Sequence, residues 1–192
     1  MRHVITALVI NEPGVLANVA GMFAARGFNI DSLVVGRTEN PEYSRMTVVV
    51  DADDNTLEQV RKQLAKLVPV VQVRDFSGTR YIERDLALIT VGATPANRSE
   101  IIELVNLFRG KVVDIGRSSL VIEIAGPEEK IEAFSDLLQP YGIKEMARTG
   151  VIAIARGSTY KRDVETVPAE RTGTKVRKRS MNAPSAPALP PS

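Results

Sequence analysis

Residues 3–10 (HVITALVI) are apolar and β-branched, which predicts a strand. Asn11-Glu12-Pro13-Gly14 follows as a turn. Val15, Leu16, Val19, Met22 and Phe23 then recur at helical spacing, and Arg26-Gly27 ends that helix with a glycine suited to a left-handed cap. Residues 29–37 read as a second strand, Glu39-Asn40-Pro41-Glu42 as a hairpin turn, and residues 43–51 as a third strand. Asp53, Asp54 and Asn55 are capping types ahead of a helix that carries Leu57, Val60, Leu64 and Leu67; Pro69 stops it. Residues 70–76 complete the order βαββαβ.

The same order returns roughly 75 residues later, with little identity of sequence. Its elements are a strand at 84–93, a helix at 98–109 capped by Asn97 or Ser99 and ended by Gly110, and strands at 111–117 and 119–125. A helix at 127–139 follows, with Pro127 at its start and Ile131, Phe134, Leu137 and Leu138 on its apolar face. A strand at 143–155 closes the unit, with Gly150 a candidate bulge. The pattern predicts an α+β fold of two tandem ferredoxin-like βαββαβ domains, 1–78 and 79–157. Val34, Val48 and Val50 predict a first sheet apolar on both faces and therefore an oligomer. Residues 158–192 hold five of the eleven prolines and the run Lys175-Val176-Arg177-Lys178-Arg179; that composition predicts a disordered tail.

Charge changes the picture little. The chain has 192 residues with a net charge of +2, but the tail holds seven Lys/Arg against three Asp/Glu. The remainder is slightly acidic, so the basic character belongs to the tail. Without cysteine there is no disulfide, thiolate site or cysteine nucleophile. His3, the single histidine, reads as a surface residue at the edge of the first strand, and no catalytic or metal-ligating set is predicted. The first residues have neither the charged start nor the long apolar stretch of a signal peptide, and no apolar run is long enough for a membrane span. These features place the chain in the cytoplasm, without a membrane partner.

The loop Asn11-Glu12-Pro13-Gly14-Val15-Leu16 joins strand to helix. Gly14 leaves the N–H groups of the helix start accessible, and these with the helix dipole suit a carboxylate. Asn11 offers an amide, while Leu16 and Ile30 offer an apolar wall. A small aliphatic amino acid fits this set, although Pro-Gly at such a position is also an ordinary turn. Asn29 opens the second strand, from which its amide can reach a ligand on a neighbouring chain.

The loop 11–16 resembles the ligand loop of ACT domains. Arg26-Gly27-Phe28-Asn29-Ile30-Asp31-Ser32-Leu33, Tyr43-Ser44-Arg45-Met46-Thr47 and Phe108-Arg109-Gly110-Lys111-Val112-Val113-Asp114-Ile115 resemble the small subunit of acetolactate synthase (acetohydroxyacid synthase). The resemblance covers residues 1–157 and says nothing of the tail. It implies an N-terminal ACT domain that pairs with its copy in a homodimer, and a C-terminal ACT-like domain. Valine is expected at the dimer interface, on Asn11, Gly14, Val15 and Leu16 of one chain and Asn29 and Ile30 of the other. The implied partner is a large catalytic subunit carrying thiamine diphosphate, Mg²⁺ and FAD, which makes the first shared intermediate towards valine, leucine and isoleucine. The small subunit raises its activity and confers valine inhibition.

No phosphate-cradling glycine loop follows any strand, so the cofactors are assigned to the partner. Asp51, Asp53 and Asp54 read as helix-capping acids rather than a Mg²⁺ site, and Glu100, Glu103, Glu128 and Glu129 as first-turn charges. The alternative is an amino-acid-responsive nucleic-acid binder acting through the basic tail; no recognition helix or aromatic platform accompanies it, and nucleic acid is not the expected partner.

Overall fold

The computed structural model describes residues 1–157 and the backbone of 165–166. Two βαββαβ units follow one another. The first comprises β1 (Arg2–Ile10), α1 (Val15–Ala24), β2 (Ser32–Arg37), β3 (Tyr43–Asp51), α2 (Asp54–Lys66) and β4 (Val70–Asp75). The second comprises β5 (Tyr81–Gly92), α3 (Arg98–Leu107), β6 (Lys111–Ile115), β7 (Ser119–Gly126), α4 (Glu128–Leu138), β8 (Ile143–Arg148) and β9 (Ile152–Ala155). No helix among the described residues is long and apolar enough to cross a membrane.

Both sheets are antiparallel. The first runs β10-β4-β1-β3-β2, where β10 (Glu165–Thr166) pairs with Val73 and Gln72; the disorder expected for 158–192 otherwise lies outside the described residues. The second runs β6-β7-β5-β8. Each sheet buries one face under its two helices. Ile5, Ala7, Val9, Met46, Val48 and Val50 pack against Val19, Phe23, Val60 and Leu64 in the first unit. Ile89, Val91, Ile122 and Ile124 pack against Ile101, Val105, Ile131 and Phe134 in the second.

Local signals act where the sequence places them. Gly27, at φ 66°, ends α1 in a Schellman motif: Phe28 N–H donates to the Phe23 carbonyl and Gly27 N–H to Ala24. The Phe23 and Phe28 rings meet edge-on at 6.2 Å, the apolar contact that accompanies this motif. The Asp53 carboxylate caps α2 by accepting from Thr56 N–H at 2.6 Å, and this hydrogen bond holds its pKa below the usual carboxylate range. Asp51 instead pairs with the Met1 amino group.

At several points the structure differs from these expectations. The second strand starts at Ser32 and not at Asn29, because the ladder to β3 begins with Asp31 N–H donating to the Val49 carbonyl. His3 is buried, not at the surface: β1 is central in its sheet, and the ring is held between Ser77 Oγ at 2.9 Å and the Ala52 carbonyl at 3.1 Å. α3 ends at Leu107, where Arg109 takes φ 54° and the Gly110 N–H closes the end on the Val105 carbonyl at 2.8 Å. Asn97 precedes α3, but its side chain accepts from Thr94 N–H and Oγ1–H and caps no helix N–H.

The last strand is not one strand. Gly150, at φ 85°, breaks it into β8 and β9, which pair with successive halves of the long β5. Tyr81–Arg84 and Ile152–Ala155 therefore form a two-stranded ribbon that leaves the second sheet and lies on the outer face of the first. There Val4, Val49 and Phe76 are buried against Val151, Ala153 and Tyr81. A Cβ on Gly150 would sit 2.7 Å from Ser32 Oγ and Val34 Cγ2, so only glycine lets the ribbon approach β2. The oligomer argument from Val34, Val48 and Val50 is corrected accordingly. Val48 and Val50 face the chain's own helices, and the ribbon covers much of the outer face.

Candidate functional site

β1 delivers the loop 11–14 to one end of the first sheet, where the Ile10 N–H donates to Pro69 and the Asn11 N–H to Glu42. Gly14 stands at the α1 N-cap with φ 86° and ψ −13°. No heavy atom lies within 4 Å of where its Cβ would be, so backbone conformation and not space requires the glycine. No side chain caps this helix start and its first turn holds no acid. The first N–H groups are therefore unsatisfied within the helix, and the positive end of the dipole is uncompensated. Glu12, Pro13, Gly14 and Leu16 are exposed, Leu16 at 47%.

The Asn11 side chain is oriented beside this opening. Its Nδ2 donates to the Pro41 carbonyl at 3.1 Å, and its Oδ1 accepts from the buried Ser44 hydroxyl at 3.1 Å. One amide N–H and one oxygen lone pair remain free. Ser44 and Pro41 are thus positioning residues not singled out as such in the sequence, though Ser44 lies inside a family-like segment. The Val15 side chain is buried in the first core, which leaves only its main chain to a ligand.

Asn29 and Ile30 lie elsewhere. Asn29 Nδ2 donates to Asp31 Oδ1 at 2.8 Å, and Ile30 is half-buried against the first core. Ser32 pairs with Val49, which pairs with Val4, six residues along β1 from Ile10. At the rise of a strand the two groups are about 20 Å apart. One chain brings Asn11, Gly14, Val15 and Leu16 together but does not bring Asn29 and Ile30 to them.

The second group does adjoin the joint between the units. Ser32 Oγ accepts from Val151 N–H at 3.2 Å. The fully buried Asp85 carboxylate accepts from Arg148 Nε at 2.7 Å, Thr149 Oγ1–H at 3.1 Å and Gly150 N–H at 3.1 Å. Arg148 reaches on to Glu128 at 3.2 Å, and Arg2 of β1 pairs with Glu128 at 2.7 Å and Glu83 at 3.0 Å. Burial works to lower the Arg2 pKa, but the hydrogen bond and charge of Glu83, with the charge of Glu128, outweigh it and raise it. These charges tie β1 of the first unit to β5 and α4 of the second.

No group of three or more acidic or histidine side chains among the described residues is placed to hold a metal. The acids nearest such a role are committed, Asp53 to the α2 cap and Asp51 to the N-terminus.

Comparison with known proteins follows the same two units. Residues 5–72 match the family model described as the AHAS small subunit-like ACT domain, and residues 84–157 the model described as the small subunit of acetolactate synthase. A probable acetolactate synthase small subunit of Archaeoglobus fulgidus is 53% identical over 82% of this chain and 99% of its own length. The acetolactate synthase small subunit of Bacillus subtilis is 45% identical over 84% of this chain and 94% of its own. The crystal structure of the acetolactate synthase small subunit from Thermotoga maritima superposes with a TM-score of 0.75 at 44% identity, covering 81% of this chain and 98% of that one. The chain belongs to the family of acetolactate synthase small subunits, proteins with a regulatory role built on an ACT domain.

Proposed function

We propose that this chain activates the large catalytic subunit of acetolactate synthase in the cytoplasm and makes it subject to feedback inhibition by valine. The observation that carries the effector assignment is the bare, exposed helix start at Gly14 with the Asn11 amide held beside it. The helix N–H groups take the carboxylate, the Asn11 amide the polar head and Leu16 the aliphatic side chain. The other half of the site, Asn29 and Ile30, comes from a second copy.

The sheet geometry supports such a homodimer. Among the described residues β2 is an open edge, and its Arg37 end lies level with Ser44, beside Asn11. Two copies paired along that edge about a two-fold axis perpendicular to the strand set the Arg37 end of one against the Ser32 end of the other, so the helix start of one meets Asn29 and Ile30 of its copy. A metabolic sensor needs a dissociation constant on the order of 10⁻⁴ M, or roughly 5–6 kcal/mol, which one charge-assisted contact, an amide hydrogen bond and a few buried methyl groups supply. Thiamine diphosphate, Mg²⁺ and FAD belong in this reading to the catalytic subunit. Residues 1–78 bind and dimerise, and residues 79–157 serve the response.

The test is acetolactate formation by the cognate catalytic subunit, with and without this protein, across a valine titration. Activity should rise on addition and fall as valine increases. Asn11→Ala should abolish the inhibition while the two subunits still associate. No activation and no valine response would overturn the assignment. Persistent inhibition of the Asn11 variant would overturn the site alone.

A further inference from the structure

A groove of about 470 Å³ lies between the outer face of β2 and β3 and the β5–β9 ribbon. Its apolar part is the outer side of the ribbon, where Ile82, Ile152 and Ile154 are 38%, 54% and 60% exposed although the ribbon's other side is buried. Three arginines line it, Arg37, Arg45 and Arg84, against one acid, Glu39. The side chains of Arg37 and half-buried Arg45 make no hydrogen bond or ion pair among the described residues, where that of Arg84 reaches only the neighbouring Glu83 carbonyl. β9 pairs with β5 on one side only, so its other edge is free among the described residues.

We propose that this groove docks an extended segment of the catalytic subunit rich in acidic and aliphatic residues. This deepens the regulatory reading and rests on it. Charge decides between occupants. A second copy placed on the groove by a two-fold axis sets the arginines of one chain against those of the other, and like charges across an interface oppose association. The chain's own segment after Gly157 carries seven Lys/Arg against three Asp/Glu, and is repelled for the same reason. A carboxylate-bearing segment pairs with planar guanidinium groups two bonds at a time, buries the three isoleucines and adds a strand to the free β9 edge. The location gives the contact a regulatory use. One wall is β2, which begins two residues after Ile30; the other is the ribbon of the second unit, joined to β2 through Ser32 and Val151. A segment held there senses a change at either wall.

The full chain is compared with Arg45→Glu/Arg84→Glu and the milder Arg45→Gln/Arg84→Gln, which spare the β2 edge, each checked for native circular dichroism. Affinity for the catalytic subunit is titrated at two salt concentrations, self-association is followed by sedimentation, and valine binding by calorimetry. The proposal expects the charge-reversed pair to lose more than tenfold in affinity for the catalytic subunit, the neutral pair to lose less, and both to show a weaker salt dependence. Self-association and valine binding should stay unchanged. Tiled peptides of the catalytic subunit should include an acidic, aliphatic one that binds the wild type, and its Lys-substituted form should bind the charge-reversed variant instead. Unchanged affinity for the catalytic subunit overturns the proposal. Lost self-association also overturns it and makes the groove a contact between copies. A wild-type chain that fails to bind the catalytic subunit at all overturns the regulatory reading itself, and this is seen before any variant is made.

Discussion

The first helix of each unit starts at the same point of the same topology, uncapped by a side chain in both but in different surroundings. In the first unit the turn is short and Gly14 stands alone at the cap; no acid lies in the first turn. In the second unit the connection is longer and closes on itself through Thr94 and Asn97, and Glu100 sits in the first turn of α3. Gly92, which ends β5, is packed so closely that a Cβ would lie 2.8 Å from the Tyr141 carbonyl. The duplicated fold thus carries a glycine-opened helix start without a first-turn acid in one unit and a start with a first-turn acid in the other. The sheets differ in the same sense: the first has its outer face partly covered by the ribbon, while the second leaves Leu88 on β5 exposed. Equivalence of topology therefore says nothing about equivalence of sites, because the site is made by a few loop residues and by what packs over them.

The largest effect is expected at the joint. Arg148→Ala leaves the buried Asp85 carboxylate without its counter-charge and should cost about 3 kcal/mol. Urea unfolding measures this, and a second resolved transition would mean that the two units unfold separately once the joint is cut. A loss within experimental error would mean that Asp85 finds another partner.

Next in size is a paired test of the helix starts. Gly14→Asp sets a carboxylate at the position proposed for the ligand's, and the valine concentration for half-inhibition should rise more than about tenfold, equivalent to about 1.4 kcal/mol. Thr94→Asp, in the corresponding connection of the second unit, should leave inhibition unchanged. Equal desensitisation by both would erase the asymmetry.

The helix ends provide a smaller contrast. Gly27 holds φ 66° with a glycine, whereas Arg109 holds φ 54° with a side chain. Gly27→Ala should cost about 1 kcal/mol, and Arg109→Gly should be neutral or stabilising, since only the first change puts a Cβ into the left-handed region. Thermal unfolding of the two variants, with shifts in opposite directions or one near zero, checks the argument.

The smallest effect concerns the ribbon at high pH. Burial, then the charge of Glu83, raises the Tyr81 pKa, and the Arg2 contact opposes them only in part. A raised folded-state pKa means that the contribution is complete below the unfolded value of about 10 and is lost as pH rises through the folded value. Tyr81→Phe should therefore flatten the alkaline loss of stability relative to wild type, and a parallel loss in both proteins would remove Tyr81 from the account. The ring packs on Phe76 at 5.0 Å, a contact that phenylalanine keeps.

Much of the fold was legible because its signals are local. Gly27, Asp53 and the spacing of Leu57, Val60 and Leu64 act within one turn of the chain, and the structure places each where the pattern did. The candidate loop was legible for the same reason: Gly14 needs its positive φ whatever surrounds it. Ser44 as the support of Asn11 was not, since the two meet only across the β1–β3 pairing.

The chain's alternation of apolar and polar positions determined two βαββαβ units, their helix-facing cores and the bare start of α1. Those are properties of short segments, set by side-chain period and backbone conformation. Tertiary structure alone decided the burial of His3, the break at Gly150, the ribbon over the first sheet and the charge network from Arg2 to Asp85. Each depends on groups far apart in the chain meeting in space, and a free energy of contact between distant segments leaves no periodic trace along the chain.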